Sequence, residues 1–150
     1  MICLRKKILV AMDGSPLSDK AGEEAIRMAA GTPSRFKSKV FALLVIPEED
    51  SESPADLEPA DPEAETDEWH DPKERIFNVI LKQASDEGVD LETAVAHGDP
   101  AEEILRLAQQ EEIDVIIIGS TGKGFLKRKV IGSVSHKVVK GAKCSVYLVR

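Results

Sequence analysis

Five short strand-like segments, each separated from the next by a segment with helical periodicity, constrain the fold of this chain more than any other feature. Val40 to Ile46 (VFALLVI) and Asp114 to Ile118 (DVIII) are almost continuously hydrophobic, which is typical of strands covered on both faces. The other three are Lys7 to Met12, the alternating segment Leu91 to Ala96, and Ser145 to Val149. The resulting order, β-α-β-α-β-α-β-α-β, predicts one doubly wound α/β domain over residues 1–150, with a parallel sheet, helices on both faces and right-handed crossovers.

Capping residues predict where the helices begin. Ser15 and Asp99 are each followed by proline, so both sites combine a side-chain acceptor at the N-cap with a residue suited to the first helical position. The other two helices are predicted to start at Pro72 and at Gly132-Ser133. Because ligands of doubly wound sheets bind beyond the carboxyl ends of the strands, a site is expected in the loops that follow them.

The charge of the chain is divided between two regions. The formal net charge is -7, but Glu48 to Asp71 contains 12 acidic residues and no Lys or Arg. The remaining 126 residues carry 15 acidic and 20 basic groups, and Val115 to Arg150 has eight basic residues and no acidic ones. An anionic ligand is therefore expected near the C-terminal part. Residues 48–72 have too few apolar side chains to offset the entropy of ordering, which predicts a mobile acidic loop.

Cysteine content and hydropathy exclude several classes of protein. The two cysteines, Cys3 and Cys144, are too far apart for the usual zinc spacings and too few for a disulfide scaffold. The apolar runs are much shorter than the roughly 20 residues of a membrane-spanning helix, and the run after Met1 to Lys7 is too short for a secretory signal. We therefore expect a cytoplasmic protein without a membrane span or a metal held by side chains. The sequence predicts no catalytic nucleophile or general base.

The spacing Gly119-x2-Gly122-x9-Gly132-Ser133 is the strongest candidate for a binding motif. Glycine lets backbone amides approach a phosphate closely, and a helix N-terminus adds a favourable dipole. Lys123 follows the second glycine and supplies positive charge. A tight loop in which Ser133 merely caps the helix explains the same residues, so both interpretations stay open. The motif lacks the Lys-Ser/Thr pair of a Walker A loop, and its glycines do not follow the first strand as in a Rossmann fingerprint.

The chain resembles the universal stress protein family across essentially its whole length, in the segments KILVAMDGSPLSDKA, VFALLVIP, GDPAEEIL and IIIGSTGKGFLKRKVIGSVSHKVV. The glycine spacing matches the signature of that family's ATP-binding branch. The resemblance implies a five-stranded parallel sheet in the order 3-2-1-4-5. That order places Asp13, after the first strand, and Gly119, after the fourth, across one cleft.

The resemblance also implies a ligand and the residues that hold it. The ligand is ATP, or AMP or ADP, with Mg²⁺ held mainly through the phosphates. Asp13 is implied to contact the adenosine part and the Val45 backbone to bind adenine, although turn formation before Ser15 is an alternative role for Asp13. The other implied contacts are apolar walls from Ala11, Met12 and Ile46, and ribose and phosphate contacts from Gly119, Gly122, Lys123, Gly132, Ser133 and the Val134 amide.

The function implied by the resemblance is a nucleotide-dependent stress-response or signalling module. It acts as a homodimer through the strand at residues 145–149 and has little or no ATPase activity. Two alternatives stay open, namely a slow ATPase and a dimeric scaffold that binds no nucleotide. Nucleic-acid binding is not expected, because the C-terminal basic residues are dispersed over loop, helix and strand, and the acidic segment would repel a duplex.

Overall fold

Strands and helices alternate along the chain as the sequence predicts. The computed structural model describes residues 6–33, 36–48, 72–121 and 131–150. The elements in this part are β1 (Lys7–Met12), α1 (Pro16–Ala30), β2 (Lys39–Ile46), α2 (Pro72–Glu87), β3 (Asp90–His97), α3 (Pro100–Gln110), β4 (Val115–Gly119), α4 (Ser133–Gly141) and β5 (Ser145–Val149). The predicted acidic loop falls mostly at residues 49–71, which lie outside the described residues, as does Cys3.

The five strands form one parallel sheet in the order β3-β2-β1-β4-β5, which confirms the predicted order. The central strand is β1, in which Leu9 is in register with Phe41 of β2 on one side and Ile116 of β4 on the other. From β1 the chain continues to β2 and β3 on one side of it, and then crosses to β4 and β5 on the other side. The strand order therefore reverses at β1. A crevice is therefore expected between the carboxyl ends of β1 and β4.

Two hydrophobic cores cover the two faces of the sheet. Ile8 and Val10 face α1 and α2, whereas Leu9 faces α3 and α4, because successive side chains of a strand point to opposite faces. Each of these three side chains is fully buried. Burying an aliphatic side chain of this size contributes roughly 1.5–3 kcal/mol. A central strand with two buried faces requires an apolar residue at nearly every position, which explains the continuous run KILVAM.

The strand β3 is an edge strand, and its sequence pattern reflects that position. It is one residue longer at each end than predicted and alternates between exposed residues such as Glu92 and half-buried ones such as Leu91 and Ala94. No residue of β3 is fully buried, so this strand can keep its place in the sheet with a mixed polar and apolar sequence. Lys39 of β2 forms an ion pair with Glu92 at 2.6 Å across this edge.

Both predicted N-caps are present. The Ser18 amide donates to the Ser15 hydroxyl oxygen at 3.2 Å, and the Glu102 amide donates to the Asp99 carboxylate at 3.0 Å. Pro16 and Pro100 occupy the first helical positions, where the missing amide proton costs nothing. Asp99 also lies 3.4 Å from the Lys137 ammonium group, which links the start of α3 to α4.

Replacing Asp99 by alanine is expected to lower the free energy of unfolding by about 1 kcal/mol at neutral pH, because the cap of α3 is lost. The Glu102 amide, helped by Lys137, lowers the pKa of the Asp99 carboxyl. The stabilisation is therefore complete above the unfolded-state pKa and is lost as the pH falls through the lower folded-state value. Urea denaturation at pH 7 and below pH 4 measures the difference. Asp99→Asn is the control, since asparagine caps equally well but does not titrate; a difference between wild type and Asp99→Ala that persists in acid would contradict this account.

Candidate functional site

The carboxyl ends of β1 and β4 lie side by side, and the first turn of α1 packs against both. β1 and β4 pair in register from Ile8–Val115 to Val10–Ile117. A Cβ atom built on Gly119 would lie 3.0 Å from the Cβ of Leu17 and 3.4 Å from the carbonyl carbon and oxygen of Leu17. The end of β4 therefore packs on α1 immediately after the turn that contains Asp13, so Asp13 and Gly119 lie at the carboxyl ends of two adjacent strands.

Asp13 forms the turn between β1 and α1. Its Oδ1 accepts a hydrogen bond from the Ser15 amide at 2.8 Å, and Gly14 between them has a φ of 78°, which glycine adopts without strain. The turn-forming role that the sequence left open for Asp13 is thus present. A carboxylate has acceptor sites for about four hydrogen bonds, so this contact leaves the half-buried Asp13 able to accept from a ligand hydroxyl as well.

The β1 side of the crevice is electrostatically negative. Burial raises the pKa of the Asp19 carboxyl, and the neighbouring charges of Asp13 and Glu23 raise it further. The carboxylates of Asp13, Asp19 and Glu23 therefore lie close to one another on this side. The free acceptor sites of Asp13 suit a group that donates hydrogen bonds, such as a ribose hydroxyl.

The opposite side of the crevice is the N-terminus of α4, where consecutive carbonyl groups at the end of β4 hold the start of the helix. The Gly132 amide donates to the Ser120 carbonyl at 2.7 Å, and the buried Ser135 hydroxyl donates to the Gly119 carbonyl at 2.7 Å. The Ser120 amide in turn donates to the Val149 carbonyl at the end of β5, at 2.8 Å. The Gly119-Ser120 and Gly132-Ser133 halves of the glycine motif are thus adjacent in space.

The first amides of α4 donate no hydrogen bond to a capping side chain, because the N-cap residue is Gly132. Ser133 is exposed and Val134 is half-buried, so the helix start lies at the protein surface. Helix N-termini of this kind carry a partial positive charge and donor groups suited to an anion. The predicted Gly132, Ser133 and Val134 contacts are therefore geometrically available together.

The two outer glycines of the motif have different structural demands. A Cβ on Gly119 would be in tight contact with the Leu17 Cβ at 3.0 Å, so α1 would have to shift by a few tenths of an ångström to admit a side chain. At Gly132 a Cβ would meet the Ser120 carbonyl oxygen at 3.4 Å, an ordinary contact, and the backbone angles are -63° and 160°, which any residue can adopt. Within the described residues, neither packing nor conformation requires glycine at position 132. Gly122 and Lys123 lie outside the described residues.

Backbone groups of Val45 point toward β1 at the carboxyl end of β2. The Ile46 carbonyl accepts from the Gly98 amide at 3.0 Å, so the peptide groups of Ile46 point toward β3. Because the peptide groups of successive residues in a strand point to alternate sides, those of Val45 point toward β1. The β1–β2 ladder ends at Met12–Leu44, so Val45 lies just beyond the last pair, at the carboxyl edge.

The three predicted apolar contacts, Ala11, Met12 and Ile46, divide between the two faces of the sheet. Ala11 and Val45 belong to the face covered by α3 and α4, whereas Met12 and Ile46 belong to the opposite face. The Met12 side chain is 2% exposed, and its sulfur would lie 3.5 Å from a Cβ on Gly22 of α1. A ligand contact by Met12 would therefore come from its backbone.

The structure adds Ser120 and Ser135 to the residues that sequence reasoning selected. Ser120 acts through its peptide groups, which no sequence pattern reveals. Ser135 had a visible signal, a second hydroxyl two positions after Ser133, but its partner is a carbonyl on another element.

Two other expectations concern metals and membranes. The described residues contain no cluster of three or more His, Cys, Asp or Glu side chains arranged to hold a metal ion. Across the same ranges, no helix has the length and hydropathy to cross a membrane. Cys144 is half-buried, and burial raises the pKa of its thiol, which lowers its reactivity at neutral pH.

Comparison with known proteins identifies a family. The family model described as the universal stress protein family matches residues 4–150. The chain is 33% identical over 149 residues to universal stress protein MJ0531 of Methanocaldococcus jannaschii, covering 98% of this chain and 83% of the relative.

Solved structures share the same fold. Hypothetical protein MJ0577 superposes with a TM-score of 0.75 at 30% identity, covering 97% of this chain and 96% of its own. A universal stress protein in complex with cAMP has a TM-score of 0.68 at 20% identity, with 97% of each chain covered. A universal stress protein family member of Arabidopsis thaliana with AMP bound has a TM-score of 0.63 at 21% identity, covering 96% of this chain and 90% of its own.

Proposed function

Because the chain belongs to the universal stress protein family, we propose that it binds an adenine nucleotide, ATP foremost, in the crevice between the carboxyl ends of β1 and β4. Nucleotide occupancy then serves a stress-response or signalling role in the cytoplasm. The observation that carries the proposal is the start of α4, where Gly132 leaves the helix amides without a side-chain cap. Neither packing nor conformation within the described residues requires that glycine. Close approach of a phosphate to the amides supplies the missing reason.

The charges of the crevice orient the nucleotide. The negative side at Asp13 and Asp19 favours the ribose hydroxyls, and the α4 N-terminus favours the phosphates. Adenine then lies beyond the ends of β1 and β2, where the Val45 backbone groups face it. In this arrangement Gly119, Gly122, Lys123, Gly132, Ser133 and the Val134 amide surround the ribose and phosphates. Two fold relatives, solved in complex with cAMP and with AMP, support an adenine nucleotide as the ligand class.

Mg²⁺ is proposed to bind through the phosphates. The described residues offer no carboxylate cluster for a protein-held ion. Mg²⁺ commonly retains several waters and takes phosphate oxygens as ligands. The ion would neutralise phosphate charge at the α4 end, away from Asp13.

Hydrolysis is proposed to be slow or absent. Rapid phosphoryl transfer needs a group that orients the attacking water. In the described part of the site, the α4 side presents backbone amides and serine hydroxyls, and the Asp13 carboxylate is held in its turn on the other side. This arrangement can bind ATP without directing a water toward it.

Calorimetric titration of the purified protein with ATP, ADP, AMP and GTP tests the proposal. We expect saturable binding of the adenine nucleotides, tighter with ATP than with AMP, and weaker binding of GTP. Mass spectrometry of the small molecules released on denaturation identifies any nucleotide that copurifies. Absence of both copurified nucleotide and binding at millimolar ATP would favour the alternative, a scaffold without nucleotide.

The edge strand β5 is proposed to pair with its counterpart in a second copy of the chain. Within the described residues β5 pairs with β4 on one side only, and Tyr147 on it is 44% exposed. Exposed edges favour pairing with another strand. Light scattering is expected to give twice the chain mass of 16.3 kDa; a monomeric mass would overturn the dimer but leave the nucleotide site intact.

A further inference from the structure

The hydroxyl of Ser135 joins the first turn of α4 to the last residue of β4. Ser135 is 3% exposed, and its Oγ donates to the Gly119 carbonyl oxygen at 2.7 Å. The donor belongs to the turn that presents the helix amides, and the acceptor belongs to the other end of the glycine motif. This buried hydrogen bond therefore spans the two halves of the proposed phosphate site.

A second hydrogen bond acts in parallel. The Gly132 amide donates to the Ser120 carbonyl at 2.7 Å, so neighbouring carbonyls on residues 119 and 120 hold neighbouring parts of α4. A single hydrogen bond lets a helix pivot about it, whereas two separated bonds restrain both position and rotation. The main-chain bond is available to any residue except proline at position 132, but the second bond requires a hydroxyl at position 135.

The Ser135 hydroxyl is not used to cap the helix. Serine near a helix start commonly bonds to local backbone groups, which would satisfy the amides of its own helix. Here the hydroxyl donates to another element instead, and the N-cap residue has no side chain. The α4 amides thus keep their donor capacity for an external anion, while the helix is anchored by the serine.

We infer that Ser135 is a positioning residue for the phosphate end of the proposed nucleotide site, acting through the start of α4 without touching the ligand. The inference rests on the proposed function. In this role, Ser135 keeps the segment from Gly132 to Val134 aligned against Gly119. Its effect is accordingly confined to ligand phosphates and does not extend to the adenosine part, which lies against β1 and β2.

The test compares ATP with adenosine in titrations of Ser135→Ala. Loss of the hydrogen bond is expected to weaken ATP binding about fivefold to tenfold, with adenosine affinity unchanged. Ser135→Thr, which keeps the hydroxyl, is expected to restore ATP affinity. Ser135→Cys keeps the approximate volume with a weak donor and is expected to lie between serine and alanine. If the alanine variant does not fold, the ATP and adenosine affinities of the cysteine variant test the positioning role instead.

Ser38→Ala is the matched control. Ser38 is also 3% exposed, and its hydroxyl oxygen accepts from the Lys6 amide at 3.2 Å. It precedes β2 and therefore lies at the amino ends of the strands, at the opposite end of the sheet from the proposed site. Its loss is expected to leave the ATP affinity unchanged. Equal weakening of ATP and adenosine by Ser135→Ala, or no weakening of ATP, would overturn the positioning role. Failure of the wild-type protein to bind ATP would instead overturn the proposed function itself.

Discussion

Replacing Gly132 by valine is expected to weaken ATP binding about tenfold or more, because the side chain blocks phosphate from the amides at the start of α4 and removes charge-assisted hydrogen bonds. The free energy of unfolding is expected to fall by about 1 kcal/mol, since the N-cap angles suit valine but glycine is the better N-cap residue. Calorimetric titration measures the affinity, and urea denaturation measures the stability.

Adenosine is the control ligand for Gly132→Val. It carries no phosphate, so its affinity is expected to be unchanged in the variant. A folded Gly132→Val protein that binds ATP as tightly as wild type would contradict the assignment of phosphates to α4. In that case the glycine motif would be a tight loop, the interpretation that the sequence left open.

Replacing Gly119 by alanine is expected to lower the free energy of unfolding by about 1–3 kcal/mol, the usual cost of overpacking. The new Cβ would lie 3.0 Å from the Cβ of Leu17 and 3.4 Å from its carbonyl group. The tight contact is the one with the Leu17 Cβ, which is fixed by the backbone of α1 and cannot move aside by a change of rotamer. Urea denaturation measures the loss. The urea concentration at the unfolding midpoint is expected to fall, while the slope of the unfolding free energy against urea concentration stays the same.

Gly132→Ala is the matched control for Gly119→Ala. Both glycines belong to the same motif, but the Cβ at position 132 meets only ordinary contacts. Gly132→Ala is therefore expected to cost less than Gly119→Ala. If the two variants were equally stable, the close contact between β4 and α1 would not be the reason for glycine at position 119.

Much of the fold was predictable because its signals are local. Apolar runs and helical periodicity indicated all five strands and four helices, and the Ser15 and Asp99 caps depend on residues only three positions away. The strand order came from the family resemblance, because alternation of strands and helices alone permits more than one doubly wound order. The half-exposed β3 was harder to delimit, since an edge strand needs less hydrophobic sequence than a central one.

The candidate site was predictable in its residues more than in their roles. The spacing of Gly119, Gly132 and Ser133 suggested a phosphate loop, but spacing cannot distinguish a glycine needed for packing from one needed for a ligand. Met12 illustrates a different difficulty. It stands at the carboxyl end of β1 beside Asp13, yet its side chain is 2% exposed and lies under α1.

The sequence by itself determined the alternation of elements, the caps that start α1 and α3, and the presence of a glycine motif between β4 and α4. Only the tertiary structure decided that Gly119 packs on Leu17, and that Ser135 holds α4 to β4. The reason is the range of the interactions. Caps and periodicity act within a few residues and are written in local sequence, whereas the approach of α1 to β4 depends on strand register and on the crossovers that place them side by side.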